Sequence, residues 1–308
     1  MNINTPTCVV GGANTGIPAC AMAPDKFIGA ILIDRNKTFT EAELQDFITT
    51  LQSLTLSSGK NRAYPIFRFE ELADNSEEET VSTLGYGSKQ VAKEGKYDWT
   101  FRLLKGGLCF QSKLRAFNKS DKKVLFVDSN NIIFGTRASN GEVTGFSMDF
   151  FYAKPFKAAD GSNAAIFQVR FALSKPGELN DSVVYINPGV DVEESVKGVV
   201  DVELTKVSAA AGSIKVAVKT VCDKTDLYDS FADDLASGSL WKLSKAGTPV
   251  AVTTVEKDEA TKSFTLTFTG TAGTYQVALA SASVLAAAGI GGAPENGFEG
   301  SPLTVTIP

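Results

Sequence analysis

The sequence of 308 residues contains no histidine. Without an imidazole the chain cannot form a Ser-His-Asp triad, a Cys-His pair or a His-ligated metal site. Chemistry based on carboxylates or lysines alone stays open, but no grouping of such residues in the sequence points to catalysis. We therefore expect a protein that is not an enzyme, with no catalytic residues, no cofactor and no metal.

Cysteine is scarce, and its four positions are scattered: Cys8, Cys20, Cys109 and Cys222. No C-x-x-C pair occurs, so neither a redox motif nor a zinc site is indicated. We expect the first two cysteines, which enclose a glycine-rich stretch, to be buried or half-buried thiols. No disulfide framework is expected, because we also expect the protein to be made in a reducing compartment.

Long apolar runs are absent as well. No stretch approaches the roughly 20 residues that cross a bilayer, and the first residues lack the basic and apolar regions of a signal peptide. These features predict assembly in the cytoplasm without contact with a membrane. The net charge of −5 lacks the basic excess that is typical of a nucleic-acid-binding protein.

The composition changes near residues 190–200. All seven arginines and 16 of the 20 phenylalanines lie before residue 197, and the join carries Pro188, Gly189 and an acidic cluster. A short linker is typical of such a join. The sequence therefore predicts two domains, 1–196 and 197–308.

The first of these domains combines one helix with many strands. Thr40 and Glu43 have the spacing of a capping box, and apolar residues at helical spacing then predict a helix over 40–54, closed by Gly59. Short aromatic and β-branched segments predict strands, with a hairpin at 129–131 and a turn at Asn140-Gly141. We expect a β-sandwich or barrel flanked by one α-helix and carrying a long loop.

The second domain is almost wholly strand-like. Phe264, Leu266 and Phe268 alternate with threonines, a pattern typical of a half-buried antiparallel strand. The stretch TGTAGTYQVALA resembles the penultimate strand of an immunoglobulin-like (Ig-like) β-sandwich, with Tyr275 at the position of the corner tyrosine. The resemblance implies an Ig-like module for display or adhesion.

The segment DNSEEETVSTLGYGSKQVAKEGKYDW lies between two predicted strands and shows no hydrophobic pattern. It does not match a phosphate-binding loop, because no glycine precedes Lys89 directly. Connections of this length are usually functional or disordered. Two interpretations stay open: a mobile loop, or an arm that becomes ordered by packing against another subunit.

We favour the arm. Its acidic start and later lysines could supply complementary charge between subunits. The residues expected at this subunit interface are Glu77, Glu78, Glu79, Leu84, Gly85, Tyr86, Gly87, Lys89 and Lys93.

In the order of these parts, the chain resembles the tail tube (major tail) proteins of long-tailed bacteriophages. The matching features are the helix over 40–54, the insertion over 70–96, the aromatic strands, the linker and the Ig-like module. The resemblance implies a virion protein whose copies form stacked hexameric rings around a channel that DNA passes through without being bound specifically. It also implies partners among other tail or neck proteins, and host-surface glycans as candidate contacts of the Ig-like domain.

Other functions fit the same profile. A neck, ring or capsid-decoration protein of the same kind of virion would share the β-rich composition and the absence of histidine. An Ig-like adhesion or carbohydrate-binding protein is a further alternative, for which a secretion signal would be expected.

Overall fold

A computed structural model describes residues 24–104, 107–118, 121–162, 164–291 and 297–308. The chain is mainly β, with 46% strand and 19% helix. It divides into two compact units. The first comprises the described residues up to Leu54 together with Gly59–Val196, and the second comprises Thr55–Ser58 and Lys197–Pro308.

The first unit holds thirteen strands and five α-helices among its described residues. The strands are β1 (Phe27–Asp34), β2 (Thr38–Phe39), β3 (Tyr64–Phe67), β4 (Phe69–Asp74), β5 (Thr80–Thr83), β6 (Lys89–Lys93), β7 (Asp98–Leu103), β8 (Lys122–Asp128), β9 (Ile133–Arg137), β10 (Val143–Thr144), β11 (Phe146–Ala153), β12 (Phe167–Leu173) and β13 (Val183–Ile186). The helices are α1 (Glu41–Gln45), α2 (Phe47–Leu56), α3 (Leu108–Leu114), α4 (Pro176–Asn180) and α5 (Val192–Ser195).

Eleven of these strands form one sheet that branches at β8 and at β9. The main path runs β2-β10-β9-β8-β11-β12-β7-β4, while β1 pairs with both β8 and β3, and β13 pairs with β9. Between β3 and β4, Arg68 has a φ of 68°, and the chain changes partner there from β1 to β7. The sheet therefore curls into a half-barrel, with β4 at the end of the path.

The centre of this sheet is covered on both faces. Strands β1 and β8 read FIGAILID and KKVLFVD, continuous apolar runs that are typical of fully buried strands. On one face, Phe101, Phe126 and Phe171 contact one another with ring centroids 5.4–6.1 Å apart. On the other face, Phe47 and Leu51 of α2 pack against the sheet.

The capping box is confirmed, but the predicted single helix is interrupted. The Glu43 amide donates to the Thr40 hydroxyl, and the Glu43 carboxylate accepts from the Thr40 amide at 2.8 Å. Asp46 leaves the helical conformation, with φ −128° and ψ 62°, and so separates α1 from α2. The short helices α3, α4 and α5 have no counterpart in the sequence prediction.

The second unit is a sandwich of two sheets. Its strands are β14 (Val200–Ala210), β15 (Ser213–Thr220), β16 (Trp241–Lys245), β17 (Thr248–Val250), β18 (Val252–Asp258), β19 (Ser263–Phe268), β20 (Gly273–Leu279), β21 (Phe298–Gly300) and β22 (Leu303–Ile307), and its helices are α6 (Tyr228–Phe231) and α7 (Ala282–Ala287). One sheet has the order β18-β19-β15-β14-β21 and the other β17-β16-β20-β22. Without β21, the first order corresponds to strands D-E-B-A of an immunoglobulin-type sandwich, and the second corresponds to strands C′-C-F-G.

Two side chains of this unit occupy the positions that characterise the immunoglobulin fold. The Tyr275 hydroxyl donates to the carbonyl of Thr271, four residues upstream, at 2.8 Å, which confirms the predicted tyrosine corner. Trp241 on β16 is buried against Phe264, and its indole N–H donates to the carbonyl of Leu235. The sequence analysis assigned no strand to the segment WKLSK, which forms β16, although its tryptophan is a hallmark of strand C.

The cysteines correct one expectation. Cys109 and Cys222 each take part in a disulfide bond, so the expected absence of disulfides is wrong. Cys8 and Cys20, expected to be thiols, lie outside the described residues. No helix in the described ranges has both the length and the apolar character that a membrane crossing requires.

Candidate assembly arm

Residues 75–97, called the arm below, connect β4 to β7 as one antiparallel ribbon. At its base, the Asn75 amide donates to the Asp98 carbonyl at 2.7 Å and the Glu77 amide to the Lys96 carbonyl at 2.9 Å. Further out, β5 pairs with β6 up to Thr83 and Lys89. At 3.2–3.4 Å per residue, the ten residues from Asn75 to Leu84 trace a path of about 33 Å. The segment expected to be a long loop is thus an ordered hairpin.

The tip of the arm is a tight three-residue turn. The Leu84 amide donates to the Ser88 carbonyl, and the Gly87 amide donates to the Leu84 carbonyl, both at 2.8 Å. Gly87 has a φ of 80°, the left-handed conformation that closes such a turn. Gly85 does not have a positive φ, and a Cβ there would meet open space. Of the two predicted glycines, only Gly87 is required by the turn.

Gly95 is the most constrained residue of the arm, and the sequence prediction did not include it. A Cβ at this position would lie 2.0 Å from the carbonyl oxygen of Glu77 on the opposite side of the ribbon. Only glycine lets the two backbones approach so closely. An isolated glycine next to a strand pattern is the sequence signal that could have identified this close approach.

The base of the arm is fixed to the rest of the unit. The Tyr97 hydroxyl donates to the side chain of Asn180, and the Asn75 side chain donates to the Thr100 hydroxyl at 3.1 Å. Lys96 pairs with Asp149 at 2.7 Å, and this hydrogen bond raises the pKa of the Lys96 ammonium. The outer part of the arm therefore projects from a positioned base.

Apolar side chains on the arm face solvent. Tyr86, at the tip, is fully exposed, at 102% of its reference area, and Leu84 beside it is 48% exposed. Val81 and Val91 are cross-strand neighbours and are about half exposed. A two-stranded hairpin alone is at best marginally stable in water, and grouped exposed apolar residues mark interaction surfaces. The arm thus has the properties of a surface that a partner covers.

The charges of the arm are only partly satisfied within the chain. Glu77 pairs with Lys93 at 2.9 Å, and both side chains are exposed, so this ion pair contributes at most about 1 kcal/mol. Glu78, Glu79 and Lys89 form no ion pair with any described residue. The nine predicted interface residues are together on one hairpin or at its base, and their contact with a second subunit stays a prediction.

An apolar cleft of about 390 Å³ lies beside the base of the arm. Phe27, Leu72, Trp99 and Tyr185 line it, together with Asp25 and Glu71 at polar positions. Burial in this region raises the pKa of the Tyr185 hydroxyl. The cleft lacks the convergent polar groups that would fix a small ligand in a defined orientation.

Nothing in the described ranges resembles a metal centre, since no three carboxylate or cysteine side chains are grouped there. No protein-family model matches the chain, and no curated protein sequence matches it.

Proposed function

We propose that the protein is a structural subunit that assembles with copies of itself into rings, and that these rings stack into a tube such as a phage tail tube. The observation that carries the proposal is the arm, an ordered hairpin with a positioned base, an apolar tip and unpaired carboxylates. Such a hairpin gains stability by packing on a neighbouring copy. Contacts between two different patches generate rings or open filaments.

Four of the seven arginines are paired with carboxylates, which supports a channel through which DNA passes without being retained. Arg35 pairs with Asp121, Arg68 with Glu193, Arg102 with Glu70 and Glu71, and Arg170 with Asp98. Arginines that are already paired with carboxylates offer less charge to phosphates, on which nucleic-acid affinity largely depends. The part of the sequence before residue 197 also has a nearly balanced charge, with 21 basic and 23 acidic residues.

In this proposal the Ig-like unit is a display module attached to the tube-forming unit, with host-surface glycans as candidate ligands. A neck or ring protein of the same kind of particle would use the same arm without stacking further. The disulfide bonds at Cys109 and Cys222 fit a protein that functions in an oxidising environment. A released particle meets this condition, and so does an extracellular adhesion protein, the second candidate function.

Electron microscopy of the purified full-length protein tests the proposal. We expect tubes. Isolated rings would favour a neck protein, and monomers at all concentrations would overturn self-assembly and favour the adhesion protein.

An armless variant provides the matched comparison. Residues 78–95 are replaced by Asn-Gly, so that Glu77 and Lys96, which are hydrogen-bonded neighbours, are joined by a two-residue hairpin turn. This variant should fold and remain monomeric. Tubes formed by the armless variant would show that the arm is not the assembly element.

A further inference from the structure

The arm lies at one end of the strands β4, β7, β12 and β11, and a second exposed apolar surface lies at the other end. Leu103, the last residue of β7, pairs with Phe69 and with Phe167, at the ends of β4 and β12 remote from the arm. Phe156, which follows β11, contacts the ring of Phe167 at 5.2 Å. Strands of about six residues separate the two ends by about 20 Å.

This remote end carries four exposed apolar side chains, together called the distal patch: Leu104, Leu108, Phe110 and Phe156. Leu108 and Phe110 are two residues apart on α3 and therefore face different sides of that helix. Leu104 is 59% exposed and Leu108 is 65% exposed, high values for leucine in a folded unit. Helix α3, which carries Leu108 and Phe110, is held in place because the Gln111 side chain donates to the Lys154 carbonyl. The distal patch is therefore a positioned surface that is open to solvent.

The charges near the two ends are opposite in sign. Around the distal patch, Arg115, Lys154 and Lys157 form no ion pair with a described residue. Burial lowers the pKa of the Lys154 ammonium, and the positive charges of Arg170 and Lys157 lower it further, while the carboxylate of Asp98 acts in the opposite direction. On the arm, the exposed carboxylates without an ion pair to a described residue are Glu78, Glu79 and Glu94, and the ammonium without one is Lys89, so the unpaired groups of the arm are mainly acidic.

We propose that the arm of one copy docks on the distal patch of a second copy, with Leu84 and Tyr86 covering the exposed leucines and phenylalanines and with Glu78 and Glu79 facing Lys154 and Lys157. This inference rests on the proposed function and names the surface that receives the arm.

The placement of the two surfaces decides what kind of assembly this contact produces. Because the arm and the distal patch are two different surfaces at opposite ends of the same strands, a contact that is not reciprocated leaves one free arm and one free patch at each step. Head-to-tail contacts propagate into rings or filaments, whereas a two-fold contact would stop at a dimer. The docking thus accounts for polymeric growth from one kind of interface.

Charge reversal with rescue tests the pairing. The arm variant carries Glu78→Lys and Glu79→Lys, the patch variant carries Lys154→Glu and Lys157→Glu, and a third variant combines all four changes. Each reversal alone should raise the protein concentration needed for assembly by roughly tenfold or more, because like charges then meet at the interface. The four-residue variant should return close to the wild-type value.

A control variant, Glu256→Lys with Glu259→Lys, makes the same change in charge as the arm variant, but at exposed residues of the second unit. It should assemble like the wild type. Circular dichroism should show that the arm variant and the patch variant are folded. If both are folded and impaired in assembly, but the four-residue variant is not rescued, the proposed pairing is overturned.

Photo-crosslinking gives a second measurement that does not depend on charge. With p-benzoylphenylalanine in place of Tyr86, assembled protein should yield crosslinks from position 86 to peptides covering 107–118 or 154–157 of another copy. Crosslinks to the cleft beside Leu72 and Tyr185, or to unrelated surfaces, would refute the docking while leaving the assembly function intact. A wild-type protein that never assembles would overturn both proposals together.

Discussion

The Ig-like unit and the arm are built from the same kind of strand but differ in what stabilises them. In the Ig-like unit, alternate residues of each central strand enter one core, where Phe264, Leu266 and Val277 are fully buried. In the arm, every residue of β5 and β6 is exposed, and only backbone hydrogen bonds and one surface ion pair hold the ribbon. One region is stabilised by its own core, and the other lacks a core of its own.

Because the Ig-like unit has a core and the arm does not, effects on stability and effects on assembly should be separable. A buried aromatic side chain contributes several kcal/mol to the free energy of unfolding, whereas exposed positions rarely contribute more than about 0.5 kcal/mol. Substitutions in the Ig-like core should therefore change stability, and substitutions in the arm should change assembly alone.

The largest effect on stability is expected from Phe264→Ala. Phe264 is fully buried and contacts Trp241 and Tyr228 with ring centroids 5.6 and 5.3 Å apart. Its truncation should lower the free energy of unfolding of the Ig-like unit by about 3–5 kcal/mol, measured by denaturant titration with tryptophan fluorescence. Phe264→Leu should cost much less, and a loss below 1 kcal/mol for alanine would contradict the packing described.

A smaller effect is expected from Tyr275→Phe. The substitution keeps the buried ring and removes only the hydroxyl that donates to the Thr271 carbonyl. It should lower the free energy of unfolding by about 1 kcal/mol, the usual net value of one hydrogen bond. Thr271→Ala is the control, because it retains the carbonyl and should change stability less. Equal losses in both variants would mean that the tyrosine corner is not the source of the effect.

The sequence predicted features that a buried core produces, and it did not predict features that depend on the folded backbone. Strands such as β19 and β20 were found because one buried face produces alternation, and the corner role of Tyr275 was found because its position follows a known turn. Strand β16 was missed because WKLSK is short and mostly polar outside its tryptophan. The break at Asp46 depends on backbone angles, and the disulfide bonds at Cys109 and Cys222 depend on proximity in the fold, which spacing along the chain does not encode.

The sequence predicted that the arm is an interface segment, which stays a prediction, but it did not predict the internal constraints of the hairpin. Glu77 and Lys93 were predicted to be available to a neighbour, yet they pair with each other across the ribbon. That pairing depends on the register of β5 and β6, which a polar sequence specifies only weakly. For the same reason the sequence predicted Gly85 together with Gly87, whereas the ribbon requires Gly87 and Gly95.

The smallest effect on stability, combined with a large effect on assembly, is expected from Gly95→Ala. The added Cβ would lie 2.0 Å from the Glu77 carbonyl oxygen, so the ribbon must open between the base and β6. Because the outer part of the arm, residues 77–95, contributes no side chain to the core, the free energy of unfolding should change by no more than about 0.5 kcal/mol. Assembly, measured by sedimentation velocity, should be strongly reduced, since the tip of the arm no longer has its position.

Gly85→Ala is the matched control: it adds the same methyl group to the same hairpin, where a Cβ meets nothing within 4 Å, and it should assemble normally. If both variants assembled alike, the position of the arm would not matter for assembly, and a large loss of stability in Gly95→Ala would show that the arm is part of the folded core after all.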